Sequence, residues 1–176
     1  MSATPSKYLG IRQVNLYIFL FCAAMIGIAL YMEHAMQLEP CPLCIMQRVF
    51  FIAAGLVALI AFLHHPGANG RRWYGLGTAL MSLAGAGFAL RQIWLQHLPK
   101  DQVPACGPSL SYMLEEFPLS EVLAVMFSGD GNCAEVVWVD PVLGLGIPQW
   151  ALVGFALLAI AGLWQAFRRG AVSSWS

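Results

Sequence analysis

The chain has 176 residues and no formal net charge, and it is 59% hydrophobic but only 10% charged. Soluble domains are about 25% charged and about half apolar, so an ordinary soluble domain is excluded, because it could not bury this much apolar surface. The sequence also lacks the basic tail or Lys/Arg cluster typical of nucleic-acid binding. The length fits one domain, and the composition favours the lipid bilayer as its solvent.

Four apolar segments are long enough to cross the roughly 30 Å of hydrocarbon in a bilayer, which takes about 20 helical residues. Their apolar runs are continuous, which favours helices over the alternating strands of a barrel. We therefore predict an all-α membrane protein, a four-transmembrane-helix bundle that forms a single domain over residues 1–176. The predicted spans are residues 13–32, 44–63, 73–95 and 147–167.

Basic residues indicate how the spans are oriented. Six of the nine Lys and Arg residues lie on the side of the two termini, which the positive-inside rule assigns to the cytoplasm. The loops over residues 33–43 and 96–146 then face outward, and all nine acidic residues lie in them. The six basic residues are Lys7, Arg12, Arg71, Arg72, Arg168 and Arg169.

Four of the five cysteines fall in the two outward-facing loops. Cys41 and Cys44 precede the second span, and Cys106 and Cys133 lie in the long loop. All four therefore share the side on which disulfides persist. Cys22 lies in the middle of the first span, where we expect a small, buried apolar residue.

The segment Cys41-Pro42-Leu43-Cys44 is a C-x-x-C motif. Two thiols at this spacing can form the small-loop disulfide that recurs in redox-active pairs. The alternatives are a structural disulfide and half of a zinc site. A four-cysteine zinc site usually has two closely spaced pairs, whereas Cys106 and Cys133 are far apart in the sequence, so we predict no metal site.

Polar residues near the outer ends of the spans could complete a site around the motif. Cys44 lies near the positive end of the second helix, and Arg48 lies one turn later on the same face. Both features favour a thiolate, and Arg48 could also donate a hydrogen bond to a ligand carbonyl. Arg91 and His97, near the outer end of the third span, could line the same pocket. The alternatives are arginines that reach towards headgroups and an exposed loop histidine.

The loop over residues 96–146 is too long for a passive connection. Its middle, residues 111–127, is apolar but interrupted by acidic residues, which favours a short interfacial helix over a fifth span. Pro118 prevents one long helix, and Ser120 can cap a helix that starts after it.

Cys106 and Cys133 flank this apolar segment. A disulfide between them would close a loop of about 28 residues, worth roughly 3.5 kcal/mol in the chain-entropy model. A reactive thiol could open such a bridge by exchange, and a purely structural bridge is the alternative.

Taken together, these motifs resemble the DsbB family of disulfide bond formation proteins. The resemblance covers nearly the whole chain, including the number of spans and the loop lengths. It rests on Glu39-Pro40-Cys41-Pro42-Leu43-Cys44 followed by Gln47-Arg48, on Ser128-Gly129-Asp130-Gly131-Asn132-Cys133-Ala134-Glu135, and on Pro148-Gln149-Trp150 at the start of the last helix.

The resemblance implies a quinone-dependent oxidoreductase of the bacterial inner membrane with its catalytic cysteines on the periplasmic side. Cys106 and Cys133 would take electrons from a periplasmic DsbA-like thioredoxin-fold protein through a mixed disulfide with Cys106. Cys41 and Cys44 would receive them by internal exchange, and Cys44 would pass them to ubiquinone or menaquinone near Arg48. His97 falls where the family has a histidine near the quinone.

Redox potentials explain why such a protein would need a strong acceptor. A DsbA-type couple has a reduction potential of about −120 mV, whereas structural disulfides lie below about −300 mV. A structural disulfide could therefore oxidise a DsbA-type dithiol only at a cost of roughly 8 kcal/mol for the two electrons. Three other hypotheses are a non-catalytic membrane protein with structural disulfides in its two outer loops, a membrane protein that binds a metal through the same thiolates, and an enzyme like vitamin K epoxide reductase. The order of the cysteines fits the last of these less well.

Overall fold

The computed structural model of the protein describes residues 10–107 and 110–168. Lys7 and Arg169, which contributed to the predicted orientation, lie outside these ranges. Within them, four helices are long and apolar enough to cross a membrane, which confirms the predicted all-α bundle. They are α1 (Ile11–Ala35), α2 (Pro42–His64), α3 (Ala68–Gln96) and α6 (Ile147–Phe167).

The first three of these helices extend beyond the predicted spans at both ends, because hydropathy marks only the part that crosses lipid. The largest extension is at the start of α3, which includes Arg71 and Arg72 in its first turns. Helix α2 begins at Pro42, a residue suited to the first helical position because it has no N–H to leave unpaired. It ends before His65, whose φ of 49° is left-handed.

The bundle is built around α2 and α3. Helix α2 packs against α1 and α3, and α3 packs along α6. Phe51 of α2 stacks on Phe155 of α6 with the ring centroids 3.9 Å apart. Cys22 belongs to the same buried cluster, which confirms that it is a buried core residue.

In the described part of the long loop there are two short α-helices instead of the single one predicted. They are α4 (Leu110–Glu116) and α5 (Leu119–Ser128), and Pro118 separates them as expected. The prediction that Ser120 caps α5 is wrong, because the helix starts at Leu119, two residues earlier than that cap would allow, and Pro118 occupies the capping position without a side-chain bond. Val122 of α5 is buried, whereas Leu119 and Phe127 are exposed.

A 3-10 helix, Gly131–Ala134, follows α5 and contacts α2 and α3. It brings Cys133 to the end of the bundle at which α2 begins. We call this end, which carries Cys41, Cys44, Cys106 and Cys133, the cysteine end.

The opposite end of the bundle is basic. There the Arg12 guanidinium lies 4.6 Å from the Phe62 ring centroid, and Arg71 Nη2 donates a hydrogen bond of 2.6 Å to the carbonyl oxygen of Arg168. Three of the basic residues used to predict the orientation, Arg12, Arg71 and Arg168, therefore lie at the end of the bundle away from the cysteines.

Candidate active site

The C-x-x-C motif forms the first turn of α2. Cys41 is the N-cap residue, and its sulfur accepts a hydrogen bond of 3.3 Å from the backbone N–H of Cys44. The two sulfurs are 2.7 Å apart, and none of the five cysteines is in a disulfide. The motif thus lies at a helix N-terminus, where the backbone dipoles favour negative charge on sulfur.

Cys133 approaches the motif from the other side. It is fully buried and packs with Cys41, Leu43 and Leu95 in a small core cluster. The Cys41 thiol hydrogen-bonds to Cys133 as well as to Cys44. Cys41 therefore lies between Cys133 and Cys44, and three sulfurs form a continuous row.

The hydrogen bonds in this row set the acidity of the thiols outside the spans. The pKa of Cys133 is lowered, chiefly because the Cys41 thiol donates to it and also because the backbone N–H groups of Leu43 and Asp130 donate. The pKa of Cys41 is raised far above its usual range, because its hydrogen bonds with Cys133 and Cys44 favour the protonated thiol and because the side chain is buried. Cys133 is accordingly the better nucleophile of this pair.

Cys106 is exposed, in contrast to Cys133. The chain around it lies against the 3-10 helix: Gly131 N–H donates to the carbonyl oxygen of Ala105 at 3.1 Å, and the Asn132 amide donates to that of Gly107 at 3.2 Å. The Cys106 sulfur is 2.9 Å from the point that a Cβ on Gly131 would occupy. The fold therefore holds an exposed thiol against the 3-10 helix that carries the buried Cys133.

A cavity of about 290 Å³ opens beside Cys44, between α1, α2 and α6. Most of its lining is apolar, including Met25, Ile26 and Trp150. Cys44 and Arg48 both line it, as their spacing on one helix face predicts. A thiol and a guanidinium are thus presented together to an apolar space.

Arg48 is held by α1. Its Nη1 forms an ion pair with the Glu33 carboxylate, and its Nη2 donates a hydrogen bond of 3.2 Å to the carbonyl oxygen of Ala29. These two contacts keep the guanidinium at the cavity instead of extended towards headgroups.

Arg91 and His97 are not among the residues that line the cavity, because that space is bounded by α1, α2 and α6 and both residues belong to the end of α3. Arg91 Nε donates to the carbonyl oxygen of Ser128 at 3.2 Å, and its guanidinium lies over Trp94. His97 is the C-cap residue of α3, with its Nδ1 2.7 Å from the carbonyl oxygen of Ile93. Arg91 thus ties α5 to α3.

Two buried glutamines complete the surroundings of the motif and were missed by the sequence reasoning. Gln92 of α3 donates from Nε2 to the sulfurs of Cys41 and Cys44, at 3.4 and 3.3 Å. Gln47 of α2 donates in turn to Gln92 Oε1 at 2.7 Å. The available signal was an uncharged amide inside a span, since such a group is costly there unless it is bonded.

Comparison with known proteins identifies the family. The family model described as "Disulfide bond formation protein DsbB" matches residues 11–165. The chain belongs to the DsbB family. The resemblance predicted from the motifs is thereby confirmed, and with its four long apolar helices this DsbB-family chain is a multi-pass membrane protein.

Several relatives are similar over almost their entire length. A protein named "Disulfide bond formation protein B" from Marinobacter nauticus is 55% identical over 160 residues, which are 90% of this chain and 93% of that one. Another of the same name from Saccharophagus degradans is 49% identical, covering 93% of this chain and 98% of that one. "Disulfide bond formation protein B 1" from Pseudomonas aeruginosa is 44% identical, with coverage of 90% and 96%.

Among the described residues, no group of three or more His, Cys, Asp or Glu side chains is arranged to hold a metal ion. The polar groups at the cysteine end include the thiols, the two glutamine amides and the Arg48 guanidinium at the cavity.

Proposed function

We propose that this protein is a membrane oxidoreductase that reoxidises a periplasmic DsbA-like dithiol protein by disulfide exchange and passes the electrons to a membrane quinone. The observation that carries the proposal is the row of sulfurs Cys133, Cys41 and Cys44, with exposed Cys106 near one end and the cavity at the other. Thiol–disulfide exchange requires adjacent sulfurs, and this row provides them.

The first exchange uses a disulfide between Cys106 and Cys133. A thiolate of the partner attacks the exposed sulfur of Cys106, a bond forms between them, and the electron pair of the broken bond moves to Cys133. The lowered pKa of Cys133 makes it a good leaving group. The second thiol of the partner then breaks the mixed disulfide, so that the partner leaves oxidised and Cys106 becomes a thiolate.

The second exchange moves the electrons inward. The Cys133 thiolate attacks Cys41 of a Cys41–Cys44 disulfide, which forms a Cys41–Cys133 bond and releases Cys44 as a thiolate. Cys106 then attacks Cys133, restoring the first disulfide and leaving Cys41 and Cys44 reduced. Because the reacting sulfurs of Cys133 and Cys41 are buried and held together, the step gains from proximity and excludes competing thiols.

The cavity fits a quinone by its chemistry. Small-molecule sites are mostly apolar clefts of about 300–1,000 Å³ with a few placed polar groups, and this one combines an apolar lining with the Cys44 thiol and the Arg48 guanidinium. When bound, a quinone would supply an acceptor for two electrons and two protons. Arg48 would donate a hydrogen bond to a carbonyl oxygen there, and Cys44 would be the sulfur nearest to the acceptor.

The two ends of the bundle support one orientation in the membrane. The basic end would lie in the cytoplasm with both termini, and the cysteine end would face the periplasm, as the positive-inside rule suggests for the inner membrane. Disulfides made at the cysteine end would then be on the oxidising side.

The test is a detergent assay with a reduced DsbA-like protein that follows quinone absorbance and the thiols of the partner together. We expect Cys41→Ser, Cys44→Ser, Cys106→Ser and Cys133→Ser each to abolish turnover with the partner. Cys22→Ala is the matched control, because Cys22 is buried in the core away from the row, and it should retain turnover. Quinone reduction that survives in Cys44→Ser would contradict the proposal.

A further inference from the structure

Two amide side chains lie buried between α2 and α3 at the cysteine end. Gln47 and Gln92 are each 4% exposed, and both belong to helices that can cross the membrane. A buried amide costs free energy unless its donors and acceptor are paired. Here the pairing runs between the two side chains, from Gln47 Nε2 to Gln92 Oε1 at 2.7 Å.

This bond fixes which end of the Gln92 amide faces the sulfurs. Because Oε1 accepts from Gln47, Nε2 is directed at the motif, 3.4 Å from the sulfur of Cys41 and 3.3 Å from that of Cys44. A thiolate has no proton to donate, so it can only accept hydrogen bonds. The N–H groups of Gln92 are therefore oriented to donate hydrogen bonds to these sulfurs when they are negatively charged.

The same amide also accommodates the neutral thiol. The sulfur of Cys44 lies 3.6 Å from Gln92 Oε1, so a protonated Cys44 can donate to the oxygen that also accepts from Gln47. Gln92 can thus remain in place while Cys44 changes between thiol and thiolate. A side chain that need not move suits a group that acts during bond exchange.

We propose that Gln92 is a catalytic residue of the internal exchange, in which its N–H groups stabilise the sulfur of Cys44 as it leaves. Gln47 is the positioning residue that holds the Gln92 amide in the donating orientation. The inference rests on the proposed exchange between Cys133 and the Cys41–Cys44 disulfide. In that step the Cys133–Cys41 bond forms, the Cys41–Cys44 bond breaks, and the electron pair moves to Cys44, while the amide keeps its protons.

The test measures the Cys41–Cys44 couple by itself. A variant that combines Cys22→Ala, Cys106→Ser and Cys133→Ser retains only Cys41 and Cys44. The ratio of its reduced to its disulfide form is measured in glutathione redox buffers, without partner or quinone. Gln92→Met keeps the length of the side chain but removes the hydrogen-bond donor. Gln92→Glu keeps the shape of the side chain but replaces the N–H groups by an oxygen that can only accept. Gln165→Met is the matched control, since Gln165 is equally buried but lies near the far end of α6.

Loss of a hydrogen bond to a charged group should destabilise the reduced pair, so we expect Gln92→Met to shift the equilibrium towards the disulfide by about tenfold. For a two-electron couple, a tenfold change corresponds to about 30 mV. Gln92→Glu should also shift the equilibrium towards the Cys41–Cys44 disulfide at pH 8. Gln165→Met should leave it unchanged.

Gln47→Met should produce a smaller shift and should add nothing in the Gln92→Met background, because its effect passes through Gln92. An unchanged equilibrium in Gln92→Glu, or an equal shift in Gln165→Met, would overturn the proposal. If the protein failed to reduce quinone, the proposed function would fail, yet the glutathione equilibrium would still report on Gln92. The two failures are therefore distinguishable.

Discussion

The thiol of Cys133 is prepared for exchange by the groups that surround it. The Cys41 thiol and the backbone N–H groups of Leu43 and Asp130 donate hydrogen bonds and lower its pKa, against the opposing effects of burial and of the Asp130 carboxylate. A depressed pKa means that the thiolate persists at a pH at which an ordinary thiol, with a pKa of about 8.5, is protonated. It is lost only as the pH falls through the lowered value.

The contribution of Cys41 can be isolated by comparing two variants. Cys41→Ser retains a hydroxyl donor beside Cys133, whereas Cys41→Ala removes the donor. We expect the pKa of Cys133 to be higher in Cys41→Ala than in Cys41→Ser, which a titration of ¹³Cβ-labelled cysteine by NMR in the reduced protein would measure. Equal values in the two variants would show that the hydrogen bond from Cys41 is not what lowers the pKa.

At the scale of elements, the short 3-10 helix decides whether the two cysteine pairs can meet. It follows Gly129, whose φ is 78° and whose added Cβ would lie 2.8 Å from Leu43 Cδ1 and 2.9 Å from Leu95 Cδ1. Glycine is required there both for its left-handed backbone and for close approach to α2 and α3. The element that carries Cys133 therefore reaches Cys41 only because this residue has no side chain.

Gly129→Ala should displace the 3-10 helix and weaken the internal exchange. We expect slower partner oxidation and a loss of stability of about 1–3 kcal/mol from overpacking, in addition to the backbone strain. Gly144→Ala is the matched control, because Gly144 also has a positive φ, of 67°, but has open space around its Cβ position. Equal thermal stabilities and equal exchange rates in the two variants would argue against this role for Gly129.

At the scale of the whole molecule, the bundle has two chemically different ends. Arg12, Arg71 and Arg168 gather at one end, and the sulfurs lie at the other, so the chemistry and the basic charge are separated along the helix axes. The proposed partner would therefore have to approach the cysteine end of the bundle. The cavity beside Cys44 opens between helices, where a lipid-soluble acceptor would have access.

The proposed orientation can be checked in spheroplasts with a membrane-impermeant maleimide. Reduced Cys106 is exposed and should be labelled from outside without permeabilisation. A cysteine introduced as Gly67→Cys in the Cys106→Ser background, at the exposed turn between α2 and α3, should be labelled only after permeabilisation. The reverse pattern would place the cysteine end in the cytosol and exclude a periplasmic partner.

Much of the fold could be predicted, because in a bilayer the backbone must pair within each segment and apolar length alone marks a helix. The four spans, the break at Pro118 and the burial of Cys22 follow from local rules of this kind. The capping of α5 was predicted wrongly. Ser120 is a residue type that often caps helices, but α5 begins at Leu119 and its N-cap is Pro118.

The sequence by itself determined the four helices, the common side of the cysteine pairs and the position of Arg48 one turn from Cys44, because these depend on hydropathy and helical periodicity. Only the tertiary structure decided that Cys133 lies beside Cys41, that Gln92 faces both sulfurs of the motif, and that Arg91 and His97 stay away from the cavity. Those facts depend on how α3 and the long loop pack against α2, and contacts between residues far apart in the chain leave no periodic signal.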